Sequence, residues 1–135
     1  MRQERIKEIY ADFKEALERL REALNEDLAK GDIIIDGTIQ RFEFTFELAW
    51  KLTKFILNYT GIEPETQTPR AVIKEAFRAE IIKDGKGWID MLEDRNKTSH
   101  IYDEKEALKI YEKIKKCHFK LLESFREKAL GFIKK

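Results

Sequence analysis

A chain of 135 residues has the size of one ordinary domain, and with 42% hydrophobic residues it can bury a real core. Charged residues reach 39%, yet the net charge is only +1, which argues against a broad basic field for nucleic acid; any RNA contact must be local or assembled from two subunits. The lone Cys117 rules out an internal disulfide, and no apolar run suits a signal segment or membrane span, so a cytoplasmic location is expected.

The chain shows no low-complexity tract and no repeat, and it reads as a single helical domain over residues 1–135. Residues 2–29 predict a long helix. Ile6, Ile9, Tyr10, Phe13, Ala16, Leu17, Leu20, Ala23, Leu24 and Leu28 recur at three- and four-residue intervals, and Gly31 is a natural stop. The charges between them read as a solvated face. Ile33, Ile34 and Ile35 have strand character but nothing to pair with, so they lead into a second helix capped by Asp32 or Asp36.

That second helix spans residues 36–59. Ile39, Phe42, Phe46, Ala49, Trp50, Thr53, Ile56 and Leu57 trace one apolar stripe; Phe44, Leu48, Leu52 and Phe55 trace another. A helix apolar on two sides sits at the centre of its bundle, or faces a partner as well as the core. Glu43 and Glu47 share a face, but no Glu-x-x-His pair of the di-iron type occurs, and no metal or other cofactor is expected. Gly61 closes the helix. Thr68 followed by Pro69 starts a third, expected to run to about Ile82. Asp84-Gly85-Lys86-Gly87 reads as a turn, and Trp88 opens a fourth helix that leads into Arg95.

Asp94-Arg95-Asn96-Lys97-Thr98-Ser99-His100-Ile101-Tyr102-Asp103 is the segment richest in chemistry. On a regular helix Arg95 and His100 would stand about 140° apart around the axis and about 7.5 Å along it, so they would not share a face. Asp103, with Glu106 three residues on, is an N-terminal capping pattern for a new helix. The helix is therefore expected to break before His100, or the two residues meet across a junction with a second subunit. Histidine exchanges a proton near neutral pH, and arginine is a forked donor suited to phosphate. Together they can support attack of a ribose 2′-hydroxyl on the adjacent phosphate without a metal. The plainer alternative is structural hydrogen bonding at a helix junction. A last long helix, residues 103–130, follows. His118 falls within its apolar pattern and reads as a satisfied core or surface histidine, and Cys117 as a small buried hydrophobe.

The Arg95-x4-His100-x-Tyr102 pattern resembles the R-x4-H-x-Y motif of HEPN-domain proteins. The block Gln40-Arg41-Phe42-Glu43-Phe44-Thr45-Phe46-Glu47-Leu48-Ala49-Trp50-Lys51 resembles a helix of one HEPN branch, the nucleotidyltransferase substrate-binding or HepT-like toxin proteins. The resemblance runs from about Ile6 to about Phe125. It implies an all-α, antiparallel up-and-down four-helix bundle with one additional short helix, and a homodimer that brings two motifs together across a cleft. It also implies a metal-independent ribonuclease paired with a small MNT-type nucleotidyltransferase antitoxin. Arg95 would then hold the scissile phosphate, His100 would act as general acid or base, and Asn96 would match the polar residue beside the family's arginine. Tyr102 would be the tyrosine that the partner adenylylates. Two alternatives stay open: a non-catalytic subunit that presents substrate to a nucleotidyltransferase, and a plain helical interaction protein. The chain carries no Gly-Ser…Asp-x-Asp signature, so nucleotidyl transfer by the chain itself is not expected.

Overall fold

The computed structural model describes residues 2–101 and 103–133. Among these it is an all-α bundle: α1 (Arg2–Leu24), α2 (Ile33–Tyr59), α3 (Pro69–Arg78), α4 (Gly85–Lys97), α5 (Glu104–Lys113) and α6 (Phe119–Ile133). A π-helical turn, Ile114–His118, joins α5 and α6, and short 3-10 turns cover Leu28–Lys30 and Thr98–His100.

Helix α2 is the axis of the bundle and packs against α1, α3, α4, α5 and α6. The doubly apolar pattern places it there, because Phe42, Phe46, Ala49, Leu52, Thr53, Ile56 and Leu57 are all buried on several sides. On α1, Ile6, Ile9, Phe13, Leu17, Leu20 and Leu24 form the buried stripe. The aromatic centre is edge-on: Phe13 meets Phe125 at 5.6 Å, and Trp88 meets Phe125 at 5.5 Å.

Several boundaries differ from the sequence-based expectation. Helix α1 ends at Leu24, not at residue 29. The Asp27 carboxylate accepts from Ala29 N at 2.9 Å, a local bond that competes with continuation of the helix, and Leu28 is left exposed. The Ile33–Ile35 run belongs to α2 itself, with Asp32 at the N-cap position. Helix α3 stops at Arg78 instead of about Ile82. The Asp84–Gly87 segment is a helix start rather than a turn. Asp84 caps it by accepting from Gly87 N at 2.8 Å, and a Cβ on Gly87 would lie 2.5 Å from that carboxylate. The last helix is interrupted at Ile114–His118, and Cys117 is exposed on that turn, not buried.

Candidate functional site

The helix does break between Arg95 and His100. Helix α4 ends at Lys97, and Thr98 N–H donates to the carbonyls of Asp94 and Arg95, tightening the chain into the 3-10 turn. Asp103 then caps α5 by accepting from Glu106 N at 2.8 Å, as the capping pattern predicts. Tyr102 lies outside the described residues.

Arg95 points back to α2. Its guanidinium stands 3.4 Å from the Glu43 carboxylate, and both side chains are about 30% exposed. Thr98 joins the pair: its hydroxyl lies 2.5 Å from Glu43 Oε2, 2.6 Å from the Arg95 carbonyl and 3.4 Å from the Arg95 guanidinium. With one proton to give, that hydroxyl serves one oxygen at a time. Arg95 Nε is buried and has no hydrogen-bond partner among the described residues. The two sequence blocks, one around Glu43 and one around Arg95, thus meet in space.

His100 is exposed and faces elsewhere. Together with Asn96 and Lys97 it borders an open cavity of about 720 Å³ between the end of α4 and α5. Arg95 does not line this cavity. The chain therefore brings Asn96 and His100 together and leaves Arg95 on another side of the same helix end, in line with the angular argument from spacing.

Sequence reasoning missed a buried polar cluster one residue before Arg95. Asp94 is 2% exposed and sits 2.6 Å from His118 Nε2 and 2.8 Å from Lys113 Nζ, which also reaches Asp90 at 2.9 Å. Lys113 and His118 are five residues apart and would diverge on a regular α-helix. The intervening π turn, closed by Phe119 N–H on the Ile114 carbonyl, lets both reach one carboxylate. Phe42 stacks on the His118 ring at 5.5 Å and 17°. His118 is thus a core histidine, 1% exposed and bonded at Nε2, while its Nδ1 lacks a partner.

Burial pushes the Asp94 carboxyl up, but the hydrogen bonds and charges of His118 and Lys113 outweigh it and hold the group below its ordinary 3.8. Burial likewise pulls Lys113 down, and the bonds to Asp94 and Asp90 outweigh it, leaving the amine above its ordinary 10.5. With Asp94 ionised, His118 Nε2 carries a proton and donates. Asp90, Asp94 and His118 each bring one ligand atom within 4.8 Å of the others, a grouping the sequence reading did not foresee. The Lys113 ammonium already lies on both carboxylates of that group, so the chain supplies its own cation there. Asp32, Asp36, Asp103 and Glu104 gather around Ile101, and a hydrogen bond that the protonated Glu104 carboxyl donates to Asp32 raises the Glu104 carboxyl. No helix among the described residues is long and apolar enough to cross a membrane.

The family model described as nucleotidyltransferase substrate binding protein like matches residues 8–130. A Haemophilus influenzae protein named probable ribonuclease HepT is 35% identical over 86 residues, spanning 62% of this chain and 59% of that protein, so this chain matches less than two thirds of its relative. A solved structure from Thermus thermophilus is 29% identical, covering 91% of this chain and 99% of its own, with a TM-score of 0.73. A second, from Haemophilus influenzae, is described as revealing the fold of a substrate binding domain of a nucleotidyltransferase. It is 23% identical over 95% of this chain and 98% of its own, with a TM-score of 0.66, and shows likeness of fold. The family match takes in the whole of α2, α4 and α5, and with them Glu43, Arg95 and His100; the chain belongs to the family of nucleotidyltransferase substrate binding protein-like proteins.

Proposed function

We propose that this chain is a metal-independent ribonuclease that works as a homodimer and is restrained by a small MNT-type nucleotidyltransferase. The observation that carries the reading is the division of the motif: Arg95 is turned toward α2 and Glu43, while His100 borders the cavity beside α5. A two-fold dimer can place the arginine of one protomer against the histidine of the other. Phe44, next in sequence to Glu43, is 64% exposed on α2, and an apolar side chain at that place suits a covered face.

In the proposed reaction His100 takes the proton from a ribose 2′-hydroxyl, and the freed oxygen attacks the adjacent phosphorus. The bond to the 5′-oxygen breaks, and that oxygen takes up the proton that His100 now carries. Arg95 leaves Glu43 to hold the phosphate oxygens, a bidentate match. Asn96, on the cavity rim beside His100, donates a further hydrogen bond. The products are a 2′,3′-cyclic phosphate and a 5′-hydroxyl. Cleavage should persist in excess EDTA, and Arg95→Ala and His100→Ala should each abolish it while leaving the helical circular dichroism and melting nearly intact. Retained cleavage in both variants would overturn the assignment.

Adenylylation of Tyr102 would set a bulky phosphate near His100 and compete for Arg95. Protein co-expressed with the cognate nucleotidyltransferase should gain adenylyl mass, and Tyr102→Phe should gain none. The second reading, a non-catalytic subunit presenting substrate to a nucleotidyltransferase, draws on the Glu43 carboxylate that already neutralises Arg95. Binding to the nucleotidyltransferase with no RNA cut under any condition would favour it.

A further inference from the structure

The cavity beside His100 has a composition that the catalytic motif does not explain. Its volume, about 720 Å³, is ample for one nucleotide unit. His100 and Asn96 stand on one rim, from the end of α4, and Ile101 and Ile110 supply an apolar floor between that end and α5. Lys97, at the end of α4, and Lys109, on α5, also line the cavity, both exposed. Neither makes an ion pair with a carboxylate among the described residues, whereas Lys113 deeper in is spent on Asp90 and Asp94. Two carboxylates line the cavity as well: Asp94 is held by Lys113 and His118, so the amines of Lys97 and Lys109 stand against the single carboxylate of Glu106 and leave the cavity a positive balance. On a chain whose net charge is only +1, this is the kind of local basic feature an RNA contact requires.

We propose that this cavity is a nucleotide subsite: it holds the RNA residue next to the scissile phosphate, with the base over Ile101 and Ile110 and the flanking phosphates on Lys97 and Lys109. The inference rests on the ribonuclease reading and adds two substrate-binding residues outside the R-x4-H-x-Y motif. Apolar side chains accept the face of any base, and amines accept any phosphate. The subsite therefore strengthens binding without reading sequence, and its contribution is strongly salt-dependent. Lys97 and Lys109 bind and do not transfer protons, so their loss acts on KM more than on kcat.

The test uses the full chain and a fluorescein-labelled, single-stranded 2′-O-methyl RNA oligonucleotide, which has no 2′-hydroxyl to react. Its binding is followed by fluorescence anisotropy across a salt series. Lys97→Gln and Lys109→Gln should each weaken binding and lower the slope of log affinity against log salt by about one. Lys14→Gln, an exposed α1 lysine outside the cavity, should leave both unchanged. Circular dichroism checks that each variant is folded. Wild-type-like binding by both cavity variants overturns the proposal, as does an equal loss in Lys14→Gln, or a wild type that does not bind below about 100 µM, the weak end of ordinary non-specific affinity. The two readings separate cleanly. If RNA is cut but neither cavity variant changes binding or KM, the subsite fails and the nuclease stands. If the variants weaken probe binding yet the wild type cuts nothing, the subsite stands and the nuclease fails.

Discussion

At the scale of single residues, Asp94 and Arg95 show how neighbours on one helix take opposite duties. Asp94 faces inward and ties α4 to the π turn through His118 and Lys113, while Arg95 leans on Glu43 of α2. Exposed ion pairs contribute little, about 0–1 kcal/mol, and the Glu43–Arg95 pair, still partly open to solvent, belongs near that range. Glu43→Gln should leave unfolding by urea almost unchanged and tighten binding of a non-cleavable RNA, because the competing carboxylate is gone; weaker binding would show that Glu43 positions Arg95 rather than masking it. The Asp94 cluster is different in kind. Asp94→Asn removes one partner of a buried pair and strands the other, which costs about 3–5 kcal/mol, toward the low end here because Lys113 keeps Asp90. Its pH dependence follows from the directions of the shifts. The Asp94 carboxyl is held below 3.8, so its contribution is present above that pH and is lost as pH falls through the lower folded value. The Lys113 amine is held above 10.5, so its contribution is present below that pH and is lost as pH rises through the higher folded value. Urea unfolding of wild type should weaken at the acid end, and Asp94→Asn should flatten that limb; parallel acid limbs would contradict the assignment.

At the scale of elements, two helix ends make the same turn with different residues. After α2, Gly61 N–H donates to Asn58 at 3.1 Å and Ile62 N–H to Leu57 at 2.9 Å, with Gly61 at φ 87°. After α3, Glu80 N–H donates to Phe77 at 3.1 Å and Ile81 N–H to Ala76 at 2.9 Å, with Glu80 at φ 61°. Both are Schellman closures, and the left-handed position favours glycine. Glycine made the first end readable from sequence. Glutamate concealed the second, where burial of Ile81 and Ile82 against the core sustains the turn at a conformational cost. Glu80→Gly should therefore raise stability by up to about 1 kcal/mol, measurable as a higher melting temperature; a fall would mean the glutamate side chain holds something the backbone does not need. The π turn escaped detection for a similar reason. Lys115, Lys116 and Cys117 on its outer face carry no local signal, and only the demand that Lys113 and His118 share one carboxylate gives it a purpose.

At the scale of the whole molecule, the divided motif makes a sharp prediction. If the working site takes Arg95 from one protomer and His100 from its partner, a mixture of Arg95→Ala and His100→Ala chains contains heterodimers with one intact site. Mixing the two inactive variants should restore measurable RNA cleavage, with sedimentation confirming dimers; a mixture as inert as its parts would place the site within one chain or abolish it. What the sequence determined by itself was the all-α architecture, the central place of the doubly apolar α2, the strong starts at Thr68-Pro69 and Asp103, and the break between Arg95 and His100. These depend on periodicity, capping and helix geometry, which act over a few residues and are written in order along the chain. The tertiary structure decided what lies across helices: Glu43 on Arg95, the burial of Asp94 between His118 and Lys113, the exposure of Cys117, and a cavity that takes His100 but not Arg95. Such pairings join residues as distant in sequence as Glu43 and Thr98, 55 positions apart, and are set by how whole helices rotate against one another, for which no local spacing is a signature.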